Sequence, residues 1–248
     1  MEQVKAYVHT IQFFFQGEPL LNQELHKMIA LAHEQGIYTI VSTNAQTLTP
    51  LLADRLIQAG LNRIIVSIDG LSQDRYEAYR QGGSLHRALD GLTQLNNAKL
   101  SHNANIHIEL QCLRLKTNEQ DWPMLLRSYK KMGADSLTLK TAQLYNYEQG
   151  HLLMPTDTRY SRYRLGRDGL YHMKRRMWHK CRRIYMGAVV DVDGNLRPCC
   201  YDKEGQHIYG NIYNKPLQEC WFSEEANRFR KMVLHHRNQI AICSNCTE

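Results

Sequence analysis

None of the apolar stretches in the 248 residues is long enough to span a bilayer. Met1–His9 has no basic segment leading into an apolar core, so no signal peptide is read and a cytoplasmic location is the default expectation. Internal repeats and low-complexity segments are absent. The first 111 residues contain no cysteine, and the total of seven (112, 181, 199, 200, 220, 243 and 246) is odd. With no export signal, these features argue against a disulfide framework. What remains is an ordinary globular composition, 43% hydrophobic and 22% charged. The length suits one large domain, or one with a small appendage.

The first part alternates strand and helix signals. Ile11–Gln16, Tyr38–Ser42, Arg63–Ile68, Ile106–Leu110 and Leu137–Lys140 read as strands. Between them lie helical patterns at Leu25–Gln35, after Thr49-Pro50, after Ser72, after Ser84 and at Trp122–Met132. Ser and Thr at N-caps, Pro at a first helical position, and Gly36, Gly60 and Gly133 at C-termini punctuate these helices. Strands alternating with helices through short loops imply βαβ units and a parallel sheet; an open sheet and a partial barrel fit equally.

Residues 141–180 lose this periodicity. The formal charge of +7 concentrates between Arg159 and Arg183, with tyrosines at 160, 163, 171 and 185. Such a run can contact nucleic acid or offset a nearby anionic metal cluster. A solvated basic helix and linker is the preferred reading. Beyond it, Gly187–Val192, Asp193-Gly194 and Asn195–Arg197 read as a hairpin, and Glu219–Leu234 as a helix.

Six of the seven cysteines follow residue 180. Cys243 and Cys246 form a Cys-x2-Cys pair, a chelating spacing that two distant thiolates can complete. Cys181 is one. Cys199 or Cys200 is the other, because adjacent side chains point in opposite directions. Spacing alone leaves zinc and an iron–sulfur cluster open. Cys112 and Cys220 read as core residues.

Several motifs resemble those of the radical S-adenosylmethionine (SAM) enzymes. Gln16-Gly17-Glu18-Pro19 after a strand is similar to their GGEP motif, and Ser42-Thr43-Asn44 to STN. Ser67-Ile68-Asp69-Gly70 with Tyr76–Gly83 resembles the segment after their fourth strand. The tail, with Cys181, Asp193-Gly194, Pro198-Cys199-Cys200, Gly210-Asn211 and Cys243–Cys246, resembles their SPASM or Twitch auxiliary domain.

The resemblance implies an α/β fold: a partial (β/α) TIM-like barrel missing its first strand over residues 1–172, then a small cysteine-rich α+β iron–sulfur domain over 173–248. It implies that Glu18 holds the SAM amino group, with Gly17 allowing close approach. Ser42 and Asn44 would meet the methionine carboxylate or ribose, and Ser67 and Asp69 the ribose hydroxyls. Cys181, Cys199, Cys243 and Cys246 would bind an auxiliary [4Fe–4S] cluster.

The implied activity is reductive SAM cleavage and radical modification of a substrate, taken to be a peptide or protein, with an electron donor. No membrane or nucleic-acid partner is expected. The family's CxxxCxxC loop, which binds the catalytic [4Fe–4S] cluster, would lie upstream of the first motif, where only ten residues precede Ile11. That cluster is therefore expected only in a full-length form, and these 248 residues are expected to be inactive. Glu2–Val8 reads as the end of the helix after that loop. The edge strand carrying Phe13–Phe15 is expected to self-associate. The alternative from another class is a non-enzymatic four-cysteine zinc or iron–sulfur module that binds a nucleic acid or protein.

Overall fold

A computed structural model describes residues 1–174 and 181–246. The chain divides into two compact units. One is Val8–His172, with which Met1 falls; the other joins Glu2–Tyr7 to Met173–Glu248.

The first unit is built on five parallel strands: β1 (Thr10–Gln12), β2 (Tyr38–Thr43), β3 (Arg63–Ser67), β4 (His107–Arg114) and β5 (Ser136–Thr141). Their order in the sheet is β1-β2-β3-β4-β5. A doubly wound sheet reverses its strand order part-way. Here every strand lies beside its predecessor, the arrangement of a partial barrel, and this resolves the choice that periodicity left open. The crossovers carry α1 (Leu25–His33), α2 (Pro50–Gln58), α3 (Gln73–Glu77), α4 (Leu85–Ser101) and α5 (Trp122–Ser128).

The helix boundaries have local causes. Thr49 Oγ1 accepts the Leu52 N–H at 3.2 Å, and Pro50 gives up no intrahelical bond at the first position. Ser84 Oγ caps α4 by accepting the Arg87 N–H at 3.3 Å. Ser72 stands at the N-terminus of α3 without such a bond.

The two faces of the sheet differ. Val41, Ile64, Val66, Ile108, Leu110 and Cys112 point toward the helices and form one core with Ile29, Leu56, Leu92 and Leu95. Residues one position along point away from that core. They fall in registered rows, Ser42–Ile65–Glu109–Ser136 and Ser67–Gln111–Thr138. This second face is mostly polar. Glu109 is ion-paired to Arg63, and burial of its carboxyl is outweighed by Arg63, Thr138 and Lys140, which hold it below the usual range. Gln111 Oε1 is buried there with no hydrogen-bond partner.

The segment beyond β5 departs from expectation. Residues 159–174 are not helical: a short 3-10 turn at Thr158–Tyr160 leads into a hairpin of β6 (Tyr163–Leu165) and β7 (Tyr171–Met173). The Asp168-Gly169 pair turns the chain, and the Gly166 N–H donates to the Leu170 carbonyl at 2.7 Å. Of the expected basic helix, residues 175–180 lie outside the described residues.

The second unit contains α6 (Arg183–Met186), β8 (Val189–Val190), β9 (Asn195–Arg197), β10 (Gly210–Asn211), α7 (Leu217–Trp221) and α8 (Glu224–His236). The three strands form an antiparallel sheet in the order β10-β9-β8. The expected hairpin is present, its second strand as expected and its first shortened from Gly187–Val192 to Val189–Val190. The single helix expected over Glu219–Leu234 is two, because Ser223 Oγ accepts the Ala226 N–H at 3.2 Å and starts a new helix. Glu2–Tyr7 forms turns rather than the end of a helix. Gln3 Oε1 accepts the Leu217 N–H at 2.8 Å.

Candidate functional site

The C-terminal ends of parallel strands are where barrels of this kind place their sites. Gly17, one turn after β1, has φ +78°, a left-handed conformation that favours glycine. It delivers Glu18 to the start of a 3-10 turn, Pro19–Leu21. The Glu18 carboxylate accepts the Leu20 N–H at 3.1 Å, the Thr43 hydroxyl at 2.6 Å and the Asn44 N–H at 2.8 Å. A carboxylate has about four acceptor positions, so three bonds fix its orientation and leave about one. Thr43 Oγ1 also accepts the Ala45 N–H at 2.9 Å, and Ala45 has φ +56°. An alanine thus occupies a left-handed position that favours glycine.

Asn44 caps its own turn, its Oδ1 accepting the Gln46 N–H at 2.9 Å. Gln46 then latches the next loop: Nε2 donates to Tyr76 Oη at 3.1 Å and to the Ser84 carbonyl at 2.9 Å, and Oε1 accepts the Ser84 N–H at 2.9 Å. Asn44, Gln46, Tyr76, Tyr79, Arg80 and Gly83 are among the residues lining a cavity of ≈ 410 Å³. Burial pushes the Tyr76 phenol up, and the group senses the charges of Arg80, Asp69 and Glu18.

Ser42 is half-buried on the polar face, while Ser67 is buried beside Gln111. Asp69 is 1% exposed. Its Oδ2 accepts from Arg80 Nε at 2.7 Å and its Oδ1 accepts the Leu113 N–H at 2.6 Å. Burial raises its pKa, partly opposed by Arg80 and the Leu113 N–H. Asn118 locks the same turn, donating to the Asp69 and Leu113 carbonyls, both at 2.9 Å. Each Asp69 oxygen thus accepts one hydrogen bond, and its partner Arg80 is among the residues lining the cavity. Sequence reasoning assigned no role to Thr43, Gln46, Tyr76 or Arg80, although three of the four lie within the motifs it used and Gln46 lies between two of them.

The tail gathers the other candidate site. Cys181 precedes α6, Cys199 and Cys200 follow β9, and Cys243 closes a 3-10 turn, Ala241–Cys243. The Cys246 N–H donates to the Cys243 carbonyl at 3.1 Å, a turn that brings the Cys-x2-Cys pair together. Cys243 and Cys246 are buried, Cys181 and Cys199 half-buried, and Cys200 exposed.

Burial pushes the Cys199 thiol up to about 11; the Tyr201 N–H opposes this, and Cys200, Cys243 and Cys246 add to it. Burial likewise raises Cys243; Arg237 opposes the rise, and Cys246 and Cys181 reinforce it. Cys199 therefore lies within electrostatic reach of Cys243 and Cys246, and Cys243 within reach of Cys181 and Cys246. Cys200 Sγ instead receives Arg183 Nη1 at 3.6 Å. Among the described residues no three His, Cys, Asp or Glu side chains are drawn tightly enough around one point for a single metal ion. The donor set fits an iron–sulfur group: four thiols in one small unit, with a buried guanidinium against those of Cys243 and Cys246. Metal binding to such a set releases protons. Cys112 and Cys220 are both fully buried in their cores.

A partial parallel barrel with its candidate site at the strand ends, followed by a four-thiol module, defines an α/β protein with an appended cluster-binding domain. Residues 1–110 match the radical SAM superfamily, and residues 181–247 match SPASM, an iron–sulfur cluster-binding domain. The chain belongs to the radical SAM superfamily and carries a SPASM tail. It is 28% identical to a GTP 3′,8-cyclase of Alkaliphilus oremlandii over 225 residues, 81% of this chain and 68% of that protein. It is also 28% identical to a PqqA peptide cyclase of Granulibacter bethesdensis over 145 residues, 57% of this chain and 37% of that protein. The chain spans little more than a third of several curated relatives. Its fold resembles native anSMEcpe with bound AdoMet and a Kp18Cys peptide, with TM-score 0.65, 16% identity, and coverage of 99% of this chain and 77% of that one.

Proposed function

We propose that residues 1–172 bind SAM at the strand ends and that residues 173–248 hold an auxiliary [4Fe–4S] cluster, as parts of an enzyme that reductively cleaves SAM and modifies a peptide or protein. The observation that carries this reading is a pair of opposite charges on either side of Asn44 and Tyr76: Arg80 lines the ≈ 410 Å³ cavity with both residues, and Glu18 accepts the Asn44 N–H and acts electrostatically on Tyr76. The Glu18 carboxylate, fixed by three donors, suits an ammonium; the Arg80 guanidinium, fixed by Asp69, suits a carboxylate. An amino-acid zwitterion such as the methionine end of SAM carries both. Gly17 admits the ligand close to the backbone. Ser42, Asn44 and Ser67 supply hydroxyl and amide groups nearby, and Asp69 acts through Arg80.

Cys181, Cys199, Cys243 and Cys246 are the four ligands in this reading, with Cys199 preferred to Cys200 because it is the less exposed of the two and senses Cys243 and Cys246. The electron that cleaves SAM would come from the separate catalytic [4Fe–4S] centre expected in a full-length form, not from this auxiliary one. The peptide preference rests on the relatives named for peptide substrates, and an external electron donor completes the partner set. Among the described residues no helix is long and apolar enough to cross a membrane. A cytoplasmic location without nucleic-acid contact is part of the proposal. The cysteines of these 248 residues form no CxxxCxxC, so a polypeptide of this sequence alone is expected to release no 5′-deoxyadenosine under strong reduction.

Calorimetric titration of the iron-loaded chain with SAM tests the cavity reading. Glu18→Gln should weaken binding about tenfold or more, as loss of a charge-assisted hydrogen bond implies. Decarboxylated SAM should bind the unaltered protein more weakly than SAM. Equal affinity of Glu18→Gln and the parent for SAM would refute the assignment.

A further inference from the structure

Arg237 lies in the 3-10 turn that follows α8, and it is 1% exposed. A buried guanidinium carries a desolvation cost that is recovered only against good acceptors. Two of its contacts are sulfurs. Its Nη2 reaches Cys246 Sγ at 3.6 Å, and it also hydrogen-bonds Cys243. A neutral thiol is a weak acceptor, whereas a thiolate is a strong one for a cation. Both of these contacts strengthen when the sulfurs are thiolates, as they would be on binding iron.

The other buried arginine of the tail is held differently. Arg230 stacks on Trp221, with its guanidinium 4.4 Å from the ring centre, and Nη1 donates to the Trp221 carbonyl at 2.8 Å. Its charge is compensated by rings and carbonyls, while that of Arg237 is directed at the Cys-x2-Cys pair.

We propose that Arg237 is a positioning residue for the tail's iron–sulfur cluster, raising its reduction potential by donating to the thiolates of Cys243 and Cys246. This rests on the four-cysteine cluster reading above. An oxidised [4Fe–4S] centre with four thiolates is a dianion, and one added electron makes it a trianion. A fixed positive charge and hydrogen bonds to sulfur favour the more negative form, so they make reduction easier.

The test uses the whole chain, reconstituted anaerobically with iron and sulfide. Iron content and a potentiometric titration followed by electron paramagnetic resonance are measured for the parent, Arg237→Gln, Arg237→Met, Arg237→Lys and Arg183→Gln. Loss of the charge should shift the equilibrium about tenfold toward the oxidised form at fixed potential, a midpoint about 59 mV more negative for one electron. Arg237→Lys should recover most of the shift. Arg183→Gln, which touches the non-ligand Cys200, should leave the midpoint in place. Loaded Arg237→Gln and Arg237→Met with the parent's midpoint would overturn the inference, as would the failure of both to fold, which would make Arg237 a residue of the fold. A parent chain that takes up no iron would instead overturn the cluster reading, and the inference with it.

Discussion

The two units hold themselves together by different means. The Val8–His172 unit buries a continuous apolar core between its sheet and helices, with Ile29, Leu56, Ile64, Leu95 and Ile108 almost fully enclosed. The tail has strands of two or three residues, and its smaller core counts Cys220 and Cys243 among its members. A core of that size gives little margin. The contrast teaches that the first unit can fold on hydrophobic burial, whereas the tail draws part of its stability from whatever its thiols bind.

The sharpest way to break the comparison is to remove one ligand. Cys199→Ser should abolish iron uptake and loosen the tail, while Cys200→Ser should keep the iron of the parent. Iron and sulfide analysis with near-ultraviolet circular dichroism reads both, and the reverse result would place the ligand at Cys200. In the first unit the equivalent injury is a cavity. Leu56→Ala should cost about 2–5 kcal/mol in urea unfolding, as buried leucine truncations do, and leave iron binding unchanged.

A smaller effect is expected at the tail's hairpin. The Asp191 carboxylate accepts the Asp193 and Asn195 N–H groups at 3.0 and 2.9 Å and Arg197 Nε at 2.7 Å. Burial would raise its pKa, but the Asn195 N–H and Arg197 prevail and hold it below the usual range. A depressed carboxylate stabilises the fold above its unfolded value of about 3.9, and that contribution fades as the pH falls through the lower folded value. Asp191→Asn should cost about 1–3 kcal/mol at neutral pH. In acid the variant and parent should converge, which urea melts at pH 7 and below pH 3 would read. The smallest change concerns Ala45. Relief of its left-handed strain, about 1–2 kcal/mol, is partly offset by loss of a buried methyl of about 0.8 kcal/mol. Ala45→Gly should therefore raise thermal stability slightly; a lower melting temperature would mean that packing of the methyl against Gly91 matters more than strain.

Legibility in the sequence followed the same divide. The strands β2 to β5 were readable because apolar residues recur with short periods between capped helices, and Thr49 and Ser84 cap as their types suggest; the strand expected over Ile11–Gln16 is only Thr10–Gln12, with Phe13–Phe15 beyond its end. The β6–β7 hairpin was missed because its strands are three residues long and rich in Arg and Tyr, leaving Asp168-Gly169 as the one local signal. The positions of Glu18, Asn44 and the four cysteines could be read from motif order. The engagement of Asp69 could not. Its partners Arg80 and Leu113 are 11 and 44 residues away, and only the fold brings their donors to its two oxygens.

The two-faced sheet carries a consequence for how such a protein can change over generations. Parallel strands are usually enclosed by apolar neighbours on both sides. Here, rows such as Ser67–Gln111–Thr138 lie outside the packed core. Exchanging one polar side chain for another there opens no cavity, whereas truncation one position along, at Ile64, Val66 or Leu110, does. The scaffold thus has a writable surface backed by a fixed one. New ligand preferences can accumulate along the strands, with Gln111 and its unclaimed acceptor as the first place to look, while the folding energy stays almost unchanged.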